Sequence, residues 1–206
     1  MTELDQTAKP ADRCRRTRRS SFAAFARSRD GSAAIEFALL AIPYFLVIFA
    51  IIETFIAFAG EQLVSNAVDT MSRKIRTGQI TAANTTRTAF RTSFCSEISI
   101  LITCSTTEAA TPSKLFLDIQ SYATFAAIPK TIPRVSTAAG ADINTAGFLY
   151  APGGPGTINM VRAYYRWSIM TDLIRPYISN VKPADGSAAY FLIVETAAFE
   201  NEQFPT

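Results

Sequence analysis

The chain is 206 residues long, with hydrophobic side chains at 49%, charged ones at 18% and a formal net charge of +3. Domains run to roughly 100–200 residues, so this length allows one compact domain with extensions and excludes two full enzyme domains. There is no histidine, so the commonest general base is missing; carboxylates could substitute, but no Asp/Glu pair stands in a suggestive setting, and no catalytic residue, metal site or cofactor is expected.

The charge is uneven. Residues 1–30 carry eight Lys/Arg against four Asp/Glu, whereas residues 61–206 carry twelve against eleven. The N-terminal cluster is Arg13, Arg15, Arg16, Arg18, Arg19, Arg27 and Arg29. Such a cluster can neutralise phosphates in a nucleic-acid patch. Ahead of an apolar stretch its commoner meaning is topological, since Arg-rich segments stay on the cytoplasmic side and set orientation. No nucleic-acid partner is expected. Residues 1–31 are polar, have little to bury, and read as a disordered cytoplasmic leader.

From Phe37 to Ile52 the sequence FALLAIPYFLVIFAII holds no charge, and Ala33–Ile35 and Phe55–Ala59 extend the apolar character. About 20 helical residues cross a hydrocarbon core of roughly 30 Å, so residues 32–59 are expected to span a lipid bilayer, with Phe37, Leu40, Pro43, Phe45, Ile48 and Ile52 as its anchor. Glu36 and Glu53 then fall near the two interfaces. Pro43 is expected to kink the helix without ending it. A removable signal peptide competes, with Ala57-Phe58-Ala59 as a small-x-small cleavage site, but the apolar run exceeds the 7–15 residues of such segments and the polar arm before it is long.

The helix is expected to continue as a stalk over residues 60–78, because Leu63, Val64, Ala67, Val68, Met71 and Ile75 keep a helical spacing while Glu61, Asp69 and Arg73 take the other faces. Gly78 is the expected stop. One helix over 33–76 would be about 66 Å long.

Residues 79–206 form the head. Cys14 lies in the arm, whereas Cys95 and Cys104 lie beyond the membrane, where an oxidising compartment lets them pair. In an unbroken helix they would stand about 13.5 Å apart, beyond the roughly 7 Å limit for a disulfide. A bond therefore requires a helix over Thr86–Ile98 to break near Ser99–Thr103; two buried free thiols are the alternative. Leu115, Leu117 and Ile119 alternate with Phe116, Asp118 and Gln120 as a half-buried strand. Loops follow through Pro129, Pro133 and Gly140 and through Ala151–Thr157; the latter lacks the Lys-Ser/Thr ending of a phosphate-binding loop.

A second strand sets Val161, Ala163, Tyr165, Trp167 and Ile169 against Arg162, Tyr164, Arg166 and Ser168. Interleaved Arg and Tyr can stack on bases, but a polar sheet face accounts for them more simply. Leu173, Ile174, Tyr177 and Ile178 suggest a short helix interrupted by Pro176. Ala189–Phe199 is apolar on both faces, as an interior strand is. The fold class is α+β: a long N-terminal helix followed by a small mixed α/β head, with a mainly antiparallel sheet of about three or four strands. Either pairing of the last two strands is allowed.

At the cytoplasmic edge the chain reads Arg29-Asp30-Gly31-Ser32-Ala33-Ala34-Ile35-Glu36-Phe37. This resembles the N-terminus of the TadE/TadF-type pseudopilins (TadE-like family) of the tight-adherence, or Flp-type, pilus system. The resemblance implies that a prepilin peptidase cuts after Gly31, leaving Ser32 first and Glu36 fifth in the mature chain. A glycine permits the close backbone approach such a cut needs. The new Ser32 ammonium and the Glu36 carboxylate, one turn on, could pair within or between subunits, and the helix dipole favours the carboxylate there.

The family also has a Cys pair soon after the stalk, a Tyr-x-Trp strand (Tyr165, Arg166, Trp167) and an ending like Asn201, Glu202, Phe204 and Pro205, although Gln203 stands where a proline is expected. It implies a minor pseudopilin of the bacterial inner membrane with a periplasmic head, incorporated in the pilus after cleavage. Its partners would be the peptidase, other pilins and pseudopilins, and the inner-membrane assembly platform. The alternative is an uncleaved, membrane-anchored periplasmic binding or sensor module.

Overall fold

The computed structural model describes residues 32–205; the basic leader expected over 1–31, with Cys14 and Gly31, lies outside the described residues. The chain falls into two units, Met1–Val47 and Ile48–Thr206. In the first, the described residues belong to helix α1, Ser32–Arg76, which continues into the second. The second unit adds α2 (Arg87–Glu97), β1 (Leu115–Tyr122), a 3-10 turn (Phe125–Ala127), β2 (Tyr150–Ala151), β3 (Ile158–Ser168), α3 (Arg175–Ile178) and β4 (Tyr190–Glu200).

Helix α1 holds Pro43 inside it and stops where expected. Gly78 takes the left-handed conformation with φ of 75°, which a Cβ disfavours. Its N–H donates to Ile75 C=O, and the Ile80 N–H reaches back to Lys74 C=O, both at 3.0 Å. Helix α2 is capped by the Thr86 hydroxyl, which accepts from the Ala89 N–H at 3.2 Å.

The sheet order is β2-β1-β3-β4. β3 pairs antiparallel with β1 on one side and β4 on the other, while the two-residue β2 joins β1 in parallel. The inner face carries Leu115, Leu117, Ile119, Val161, Ala163, Tyr165 and Ile193. They pack on Val64, Val68, Met71 and Ile75 of α1 and on Phe90, Phe94 and Ile98 of α2. The period-2 stripe of β1 and β3 thus meets the period-3.6 stripe of two helices in one core.

Three expectations are corrected. The outer face of β3 is no solvated polar face: Tyr164, Ile143, Phe148, Val181, Tyr190 and Leu192 form a second core over it, Tyr164 stacks on Phe148 at 4.6 Å, and Arg162 and Asp118 are buried. Ala189–Phe199 is not interior, because β4 is an edge strand. Its two apolar faces reflect two covering layers and not two neighbouring strands. Pro176 does not interrupt a helix but opens α3, at the turn where its missing N–H costs nothing.

Candidate functional site

Along α1 the surroundings of the side chains change midway. From Ile35 to Phe58, fourteen large apolar residues are exposed, among them the expected anchors Phe37, Leu40, Phe45 and Ile52; Pro43 is exposed as well and Ile48 half-exposed. Burying such a side chain is worth about 1.5–3 kcal/mol. Even discounted by half for partial exposure, the set forgoes about 10–20 kcal/mol in water, as much as the whole stability of a domain, about 5–15 kcal/mol. This band requires an apolar surrounding. Its mean hydropathy reaches 2.5 and none of its most apolar stretch is buried, so α1 qualifies by length and composition as a membrane-type helix.

From Ala57 onward one stripe of the same helix is buried: Ala57, Gly60, Val64, Ala67, Val68, Met71 and Ile75. Four contacts fasten the head to the helix and to the turn that follows it. A Cβ at Gly60 would lie 2.6 Å from Cζ3 of Trp167, so the indole packs on bare helix backbone. The Glu53 carboxylate accepts the N–H of Met170 and, at 3.3 Å, that of Thr171. At the far end the Glu202 N–H donates to Arg76 C=O at 2.9 Å, and the Phe204 ring fills the space beside Gly78, where a Cβ would meet it at 2.5 Å. Asn201 locks the preceding turn, its amide donating to Gly153 and Gly154 C=O, each at 2.9 Å.

Cys95 and Cys104 are disulfide-bonded with Cα atoms 5.9 Å apart, because the chain turns after Ile98, whose C=O accepts from Ile102 N–H. Beside this turn lies Glu108, buried and accepting from the N–H of Ser113, Lys114 and Leu115 and from the Ser113 hydroxyl. Burial alone would raise its carboxyl; these donors outweigh burial and hold it below the usual carboxylate range. Arg91, 4.0 Å away, donates to Glu108 and Leu115 C=O.

A concavity of about 480 Å³ lies on the outer sheet face between Asp118, Arg162, Pro129 and Asn144. Its charged groups are engaged: Asp118 accepts from Gln120 and from Leu149 N–H, and Arg162 donates to Pro129 C=O and the Thr196 hydroxyl. They hold the 129–148 loop down. Among the described residues no group of three His, Cys, Asp or Glu is placed to hold a metal.

Residues 31–73 match the family model described as TadE-like protein. This segment is similar to that family. No curated protein and no solved structure matches the chain. The match takes in Gly31, Ser32 and Glu36 and runs through α1 to Arg73, leaving the sheet outside it. Glu36 is exposed, and Gly31 is not among the described residues. Sequence reasoning missed Gly60 and Glu53 as attachment points and the Arg91–Glu108 pair altogether. A lone glycine inside a helical pattern is the one local signal that could have flagged Gly60.

Proposed function

We propose that the protein is a minor pseudopilin, a structural component of a Tad-type (Flp) pilus machinery. Helix α1 holds it in the inner membrane, with the leader in the cytoplasm and the head outside. A prepilin peptidase removes the leader after Gly31. The Ser32 ammonium then serves as the partner for Glu36 in its own or a neighbouring subunit, which helps to set register as the helix moves from lipid into a bundle of pilin helices.

The observation that carries this reading is the two-part character of the TadE-like helix, uncharged and apolar on every side from Phe37 to Ile52 and one wall of the head core from Ala57 on. A helix whose upper part forms one wall of the head core suits a subunit that must be lifted out of a bilayer with its head attached. The buried charged side chains of the head, Arg91, Glu108, Asp118 and Arg162, are used to hold its own loops. They support a structural role over a catalytic one.

Mass spectrometry of the protein purified from its native membrane tests the proposal. The expected N-terminus is Ser32. A chain that keeps the arginine-rich leader would overturn the pseudopilin reading and leave a membrane-anchored module.

A further inference from the structure

The segment after β3 carries three large apolar side chains in the open: Met170 is 91% exposed, Leu173 61% and Tyr177 88%. The segment is not loosely held, for Ile169, just before them, is 3% exposed and Ile174, among them, 6%. Arg175 ties it internally, donating to Ile169 C=O at 2.9 Å and pairing with Asp172 at 2.6 Å. A fixed loop that turns two apolar side chains in and three out presents the outer three to something.

Its position on α1 says to what. The loop is pinned through Met170 and Thr171 to the Glu53 carboxylate. With Glu36 at the inner edge of the hydrocarbon, about 20 residues of 1.5 Å rise put the outer edge near residue 56. Glu53 then sits at or just below that edge, where both a carboxylate and bare N–H groups lack water and each satisfies the other. On either side, small clefts join loop and helix. One, of about 270 Å³, is lined by Phe49, Ile52, Ile56, Trp167 and Met170; the other, of about 250 Å³, by Thr54, Phe58, Tyr177 and Phe191. The loop's exposed face is therefore continuous with the exposed apolar band of the helix, and whatever surrounds the helix there also meets the loop.

We propose that residues 169–178 form a second membrane contact, a monotopic loop that seats Met170, Leu173 and Tyr177 in the outer interface of the bilayer beside α1. Tyr177 supplies the amphipathic ring favoured at headgroup level, and Met170 and Leu173 enter the acyl boundary. Two points of contact, helix and loop, fix the tilt and rotation of the head over the membrane, which a single helix does not. The inference rests on the reading of α1 as a membrane span.

Spin-label accessibility of the full chain, in vesicles of phosphatidylethanolamine and phosphatidylglycerol, tests it. Single labels are placed at Leu173→Cys, Tyr177→Cys, Leu40→Cys for the span and Gln79→Cys at the far end of α1, all with Cys14→Ser. The expected result is a ratio of oxygen to nickel-chelate accessibility several-fold higher at 173 and 177 than at 79, and highest at 40. Labels at 173 and 177 that match the one at 79, with 40 still deep in lipid, would overturn the loop contact and leave the span intact. A label at 40 open to the nickel chelate would overturn the span, and the loop contact with it.

Discussion

Gly60 and Trp167 meet so closely that a methyl group at position 60 would stand 2.6 Å from Cζ3 of the indole. Two effects oppose each other on substitution. Alanine improves helix propensity by about 1 kcal/mol, whereas overpacking a fitted contact costs about 1–3 kcal/mol. The contact is expected to win. Gly60→Ala should lower stability by about 1 kcal/mol and Gly60→Leu by more, read from urea unfolding of the full chain in detergent. Trp167 is the single tryptophan, so its emission reports the same site and should shift to the red. A stabilised Gly60→Ala variant would show that the indole gives way freely.

Processing is expected to depend on Gly31 and assembly on Glu36. Gly31→Val should leave the protein in the membrane at its full length, because the added side chain obstructs the peptidase. Glu36→Ala should be cut normally yet fail to support piliation. Immunoblots of membrane fractions separate the first pair of outcomes, and electron microscopy of pili the second. Normal piliation with Glu36→Ala would remove the carboxylate from its proposed role.

The disulfide closes a short loop, Cys95 to Cys104 being nine positions apart. Replacing both by serine should cost about 2–3 kcal/mol through the freer unfolded chain. The loss belongs to the head. Urea unfolding followed at Trp167 should therefore move to a lower midpoint, while insertion of α1 in membranes, checked by carbonate extraction, stays as in the parent.

Helix α1 and the disulfide turn were legible because each rests on local chemistry: an uncharged run, a stripe at helical spacing, glycine at the stop, threonine at the start of α2. The outer face of the sheet was not. Arg162, Tyr164 and Asp118 read as solvated because alternation records only a strand's own pattern. The 129–148 loop that buries them comes from some thirty residues away, with no pattern of its own. Apolarity on both faces of β4 likewise marks covering layers, and edge or interior position depends on pairing partners that no single strand encodes. Glu53 gave no sign of its role in fastening the head, because its partners are the backbone N–H groups of Met170 and Thr171, which have no sequence signature.

Two carboxylates give opposite pH dependence. The Glu108 carboxyl is held below its ordinary value of 4.5 because four hydrogen bonds outweigh its burial. The unfolded chain then binds that proton more readily, so the contribution of Glu108 is fully present above about pH 4.5 and is lost as pH falls through the lower native value. Glu195, half-buried against α1, is raised above 4.5, first by burial and then by Glu61 and Asp69, with the Ser65 hydroxyl opposing. Here the native chain binds the proton more readily, so stability falls as pH rises from about 4.5 through the raised native value. Glu108→Gln should therefore cost about 1–3 kcal/mol at pH 7, since it leaves buried N–H donors poorly matched, and should flatten the decline of stability below pH 4.5. Glu195→Gln should stabilise at pH 7 by no more than about 0.5 kcal/mol, the site being largely screened by solvent, and should bring no gain at pH 4. Urea midpoints of the full chain in detergent, taken from pH 3 to 8 with Trp167 emission, test both slopes, and a loss from Glu195→Gln at pH 7 would show that the carboxylate is instead an attractive partner for the head.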